Sequence, residues 1–130
     1  MTLSAEDLAT LVAIDKKQRA KLTEEQNASN KAKLAELMTD QEKMAEAVAT
    51  HQELIAAADA DGDGKLNLDE WKAYTKASVA RGTEKGWHVA EHDDADVEVS
   101  WAVYCRAGGD EGGVTAATLM ACSGQVMKAA

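Results

Sequence analysis

The 130-residue chain has no proline and no phenylalanine, only two cysteines, and no glycine before residue 62. Without proline, no helix interior meets the residue that removes a backbone donor and collides with the preceding turn. The opening 61 residues, free of both glycine and proline, suit long helix. Cys105 and Cys122 are too few for a disulfide scaffold, so two small buried thiols in a reducing compartment, the cytoplasm, are expected. Large apolar side chains are scarce: 31 residues are Leu, Ile, Val, Met, Trp or Tyr, against 26 alanines. A core that modest is best built by helices whose alanines allow close packing. Long apolar runs are missing too. Leu54–Ala58 and Trp101–Cys105 are far too short to span a bilayer.

Positive charge is in short supply. Fourteen Lys and Arg stand against 23 Asp and Glu, a net charge of −9. Binding a phosphate backbone requires neutralising cations, so nucleic acid is not expected as a partner. An anionic membrane surface is disfavoured for the same reason. Glu6 and Asp7 stand where a signal peptide needs positive charge and then an apolar stretch. Thr2 follows Met1 where myristoylation needs glycine, and Val126–Ala130 is no prenylation tail. The acid is uneven: residues 1–38 are neutral, 39–82 carry −4 and 83–130 carry −5. These shifts suggest an N-terminal helical arm over 1–38, a module over 39–130, and a joint within it at Gly82–Gly86.

Ser4 is a cap for a first helix, with Asp7 three residues on and a short apolar face of Leu8, Leu11 and Val12. Thr23-Glu24-Glu25-Gln26 is a second capping box, and Asn27–Asn30 is the weakest helical stretch. From Leu34 the spacing becomes regular: Leu34, Leu37, Gln41, Met44, Val48, His51 and Ile55 alternate steps of three and four. That is one helix face with the period of a short coiled-coil seam, and a homodimer through it is one use. The pattern favours helix from about Lys31 to Ala58, although Thr39-Asp40-Gln41-Glu42 competes as a fresh start.

The loudest motif runs from Asp59 to Glu70. Carboxylates stand at positions one, three, five and twelve, glycine at six and leucine at eight. Two unit charges ~4 Å apart repel by ~4 kcal/mol at an effective dielectric of ~20, so four such carboxylates, if gathered in one place, would want a cation. The run resembles the calcium loop of the EF-hand family at every diagnostic position. The resemblance implies one calcium ion held by Asp59, Asp61, Asp63, the backbone carbonyl of Lys65, Asn67 and both oxygens of Glu70. Gly64 would make the sharp bend. Magnesium, which prefers six tighter ligands and its own water, fits less well.

Leu54 and Ile55 precede the loop; Trp71 and Tyr74 follow it on an exiting helix expected to end near Ala80. By resemblance, Trp71 packs against the entering helix, and Leu66 pairs as a minimal strand with a second hand. Residues 107–118 fit that role in shape: Gly112 falls at position six, Val114 at eight, and Thr115 is an N-cap. They lack the chemistry, because positions one, three and twelve are Ala107, Gly109 and Thr118. The expected fold is therefore all-α, an EF-hand pair with one intact and one degenerate loop, the second entered by a helix over Asp94–Arg106. The function it implies is a calcium-responsive sensor or adaptor for a protein partner. A calcium buffer or calcium-stabilised subunit is the alternative. His88 and His92, beside Asp93 and Asp94, have spacing for a zinc-type site, but a polar helix start explains them. Cys105 lacks any visible orienting group for nucleophilic chemistry, and no enzyme is expected.

Overall fold

The structure, a computed structural model, describes residues 2–129. Met1 and Ala130, the outer ends of the expected arm and module, lie outside the described residues. Those described fold into six helices: α1 (Ala5–Ala20), α2 (Glu24–Thr39), α3 (Gln41–Ala58), α4 (Leu68–Glu84), α5 (Asp94–Gly108) and α6 (Ala116–Ala129). Among them there is no strand, only a single antiparallel bridge between Leu66 and Val114. None of these helices is long and apolar enough to cross a membrane.

Local chemistry starts the first two helices. The Ser4 hydroxyl accepts the Asp7 N–H at 3.1 Å. Thr23 and Gln26 complete a reciprocal capping box. The asparagines that weaken α2 serve tertiary contacts instead. Asn27 donates to the Arg19 carbonyl at 2.9 Å, and Asn30 both donates to and accepts from the His88 backbone.

Two expectations about helix ends are corrected. The continuous helix from Lys31 to Ala58 does not exist: the chain breaks at Asp40, whose backbone is extended (φ −119°, ψ 108°). The Asp40 carboxylate accepts the N–H groups of Glu42 and Lys43, so Asp40 rather than Thr39 caps the new helix. Conversely, α4 does not stop near Ala80 but continues to Glu84. Gly82 is no terminator. It lies inside the helix because the returning chain packs there, where a Cβ would sit 3.1 Å from Val89 Cγ2. The turn falls at Gly86, with φ +88°.

Two apolar clusters hold the helices. The larger joins Leu54 and Ile55 of α3, Leu66, Trp71 and Tyr74 of α4, Val97 and Cys105 of α5, Val114, and Leu119 of α6. The smaller joins Leu3 and Leu11 to Val103 and Cys122, seating α1 against α5 and α6. Tyr104 touches both. Ion pairs fasten α1 at its two ends, Asp7 to Arg106 at 2.8 Å and Lys17 to Asp93 and Asp96 at 2.8 and 2.9 Å. Helix α2 buries no residue of its own. It leans on α3 and lines an open cavity of about 1280 Å³ with Leu34, Leu37, Leu54, Trp87, Val126 and Met127.

Candidate metal centre

The segment between α3 and α4 is curled in large part by its own side chains. Asp59 Oδ2 accepts the Gly64 N–H at 2.9 Å, Asp61 Oδ1 that of Asp63 at 3.2 Å, and Asp63 Oδ1 that of Lys65 at 3.0 Å. Each carboxylate thus curls the chain around itself, the habit of aspartate in turns. Gly64 completes the bend at φ +83°, a conformation that side chains resist. At the far end Asn67 and Glu70 form a capping box: Asn67 Oδ1 accepts the Glu70 N–H and Glu70 Oε1 the Asn67 N–H, both at 2.9 Å. Glu70 Oε2 reaches back to the Asp61 N–H at 3.4 Å, and the Glu70 side chain is buried.

These bonds bring Asp59, Asp61, Asp63 and Glu70 together, with one carboxylate oxygen of each within 4.8 Å of the others. Of the six residues named from the sequence, these four converge. Asn67 spends its side-chain oxygen on the cap of α4. Lys65, expected to offer its carbonyl, sends its ammonium away to Asp110 Oδ2 at 2.6 Å.

The cluster is electrostatically unsatisfied. The Asp63 N–H pulls the Asp61 carboxyl down, but desolvation and the carboxylates of Asp59 and Asp63 outweigh it, leaving Asp61 above the ordinary carboxylate value. Asp63 lies below that value, chiefly because the Lys65 N–H donates to it. Asp59 Oδ1 is buried and has no hydrogen-bond partner. A buried carboxylate oxygen that accepts no hydrogen bond is costly unless something positive meets it. Four carboxylates and no nitrogen or sulfur form a hard ligand set, suited to an oxygen-seeking cation. The arrangement can hold a metal ion.

The second loop is built differently. Helix α5 runs through Ala107 and Gly108, so the first two residues of the 107–118 segment are helical rather than loop. Gly109, at φ +71°, ends that helix, and Gly112 has no positive φ to match Gly64. Thr118, in the place of Glu70, is buried; its Oγ1 lies 3.0 Å from that of Thr115, which also accepts the Thr118 N–H.

The other candidates do not assemble. Among the described residues, His88, His92, Asp93 and Asp94 form no metal-type cluster. Asp93 is taken by Lys17 and Lys21. Cys105 and Cys122 are unpaired and buried, and burial pushes both thiols above their usual value, away from the reactive thiolate. Sequence reasoning missed the part played by Asp110. The hint was local: an aspartate two residues before Gly112, the spacing of a side-chain-closed turn.

The Trp71 ring lies 5.4 Å from that of Tyr74 and 5.3 Å from that of Tyr104, and its Nε1 donates to Ser100 Oγ on α5. The residue after Glu70 is thereby wired into the core. Burial holds the Tyr104 phenol protonated, its pKa pushed up to about 12. The chain matches no family model, no curated protein and no solved structure.

Proposed function

We propose that this chain is a calcium-binding protein of the EF-hand type, with one working loop (59–70) paired to a ligandless one, acting as a calcium-responsive sensor or adaptor for a protein partner. The observation that carries the metal reading is Asp59 Oδ1, a buried oxygen without a partner in a ring of four carboxylates. The choice of calcium rests on the ligand set and on the twelve-residue spacing, since calcium takes six to eight oxygens in flexible geometry. The reciprocal bonds between Leu66 and Val114, at 2.8 and 3.0 Å, support the reading of two paired loops. Free, buried thiols fit a reducing compartment such as the cytoplasm.

The adaptor reading draws on the apolar cavity beside α2 and on exposed methionines: Met38 at 60%, Met44 at 36% and Met127 at 49%. Methionine adapts to varied partners. A second copy of this chain, meeting through the Leu34–Ile55 stripe, is the alternative partner, and light scattering distinguishes it.

One observation favours the alternative of a calcium-stabilised subunit. Glu70 already lies inside the loop with both oxygens engaged, so an ion needs little movement to be enclosed. Calorimetric titration with calcium and magnesium, run beside a hydrophobic dye, tests both readings. One calcium site with a rise in dye signal supports the sensor. One site with unchanged dye and a higher melting temperature supports the structural role; saturation at ~100 times the dissociation constant adds ~2.7 kcal/mol. No calcium binding at millimolar supply rejects the proposal.

A further inference from the structure

The two loops approach closely at Lys65 and Leu66. Trp101 Nε1 donates to the Leu66 carbonyl at 3.1 Å, alongside the paired bonds to Val114. Gly113 makes room, since a Cβ there would lie 2.7 Å from Lys65 Cβ. Across this seam the Lys65 ammonium meets Asp110 Oδ2 at 2.6 Å. Asp110 is held ready for that contact. Its Oδ1 accepts the Gly112 N–H at 2.9 Å, which fixes the carboxylate and leaves Oδ2 facing Lys65.

Lys65 sits inside the acidic loop, its own N–H bonded to Asp63. A flexible ammonium there has two anionic targets, the carboxylates of its own loop and Asp110. Folded back, it would neutralise the charge that a divalent ion requires. We infer that Asp110, on the ligandless loop, is a positioning residue for the metal site: it draws the Lys65 ammonium out of the carboxylate ring and keeps the ring's charge available to the ion. The second loop then serves the first as a counter-charge. This inference rests on the calcium reading above.

The test is calcium calorimetry on full-length Asp110→Asn, Lys65→Met and the double variant, at low and high salt. Asp110→Asn is expected to bind one calcium ~3- to 10-fold more weakly, with the loss shrinking as salt screens the released ammonium. Lys65→Met should bind at least as tightly as the wild type, and the double variant should recover wild-type affinity. Metal-free Asp110→Asn should melt within a few degrees of the wild type, as expected for a partly exposed ion pair. A double variant as weak as Asp110→Asn would overturn the inference. So would unchanged affinity in Asp110→Asn, or a large loss of its metal-free stability, which would make Asp110 a structural anchor. Calcium binding indifferent to Asp110 rejects this inference alone, whereas no binding by the wild type rejects it together with the calcium reading.

Discussion

From the end of α3 into the first turn of α4 the chain keeps three aspartates, a glycine bend and a buried glutamate that reaches back across the loop. From the end of α5 into the first turn of α6 it keeps two acids, a shorter turn and a buried threonine. Both segments end in a helix capped by a polar residue, Asn67 or Thr115, and they meet through one bridge. The shared features are those of packing: Leu66 and Val114 are each 1% exposed in one core. What differs is charge: the backbone bridge is common to both segments, whereas four carboxylates gather in the first alone. Pairing needs only backbone groups and two apolar side chains, whereas enclosing a cation needs carboxylates at several fixed positions.

Glu70→Gln attacks the difference most directly. It keeps the size of the side chain and removes the charge, and calcium affinity should fall about a hundredfold or more by calorimetry. An unchanged affinity would place the ion elsewhere. Leu66→Ala attacks what the loops share. The side chain is almost wholly buried, so the metal-free protein should lose about 3 kcal/mol in denaturant melts, and Val114→Ala about 2 kcal/mol. A near-zero loss in either would mean that the bridge region is not part of the cooperative core. Thr118→Glu places a carboxylate in the second segment where Glu70 stands in the first. Without aspartates at Ala107 and Gly109 the new carboxylate is buried unpaired, so stability should fall by about 2 kcal/mol while the site count stays at one. A second calcium site would show that a single ligand separates the two loops.

Acid gives the gentlest comparison. Lys65 holds the Asp110 carboxyl below its ordinary 3.8, and Arg106 does the same for Asp7. The native state therefore binds fewer protons than the unfolded chain, and the stability this adds is present above about pH 4 and lost as pH falls through the depressed values. Asp110→Asn should flatten the loop's share of that acid loss in melts between about pH 5 and 2, and Asp7→Asn that of α1. Curves unchanged by either substitution would show that these pairs do not register in stability.

Much of the architecture was legible because local chemistry decided it. Ser4, Thr23 and Asp59–Glu70 act through bonds two to nine residues long, which neighbours in sequence can specify. The Leu34–Ile55 stripe was legible as helix but not as two helices. Its steps of three and four are satisfied equally by one long rod and by two shorter ones, and the extended backbone at Asp40 breaks no apolar spacing. Gly82 misled because glycine inside a helix is rare without a tertiary reason, and that reason, Val89, comes from chain that folds back. The Lys65–Asp110 pair spans 45 residues, and nothing in either neighbourhood names the other.

The sequence alone settled that this is a helical chain and that four carboxylates belong to one turn, because capping and curling act within a few residues. Only the tertiary structure decided that α1 lies against α5 and α6, that the second loop begins after Gly108, and that Lys65 points away from its own acids. Those outcomes depend on which surfaces meet. Burial and charge pairing across distant segments weigh the whole chain at once, and no short stretch of residues carries that information.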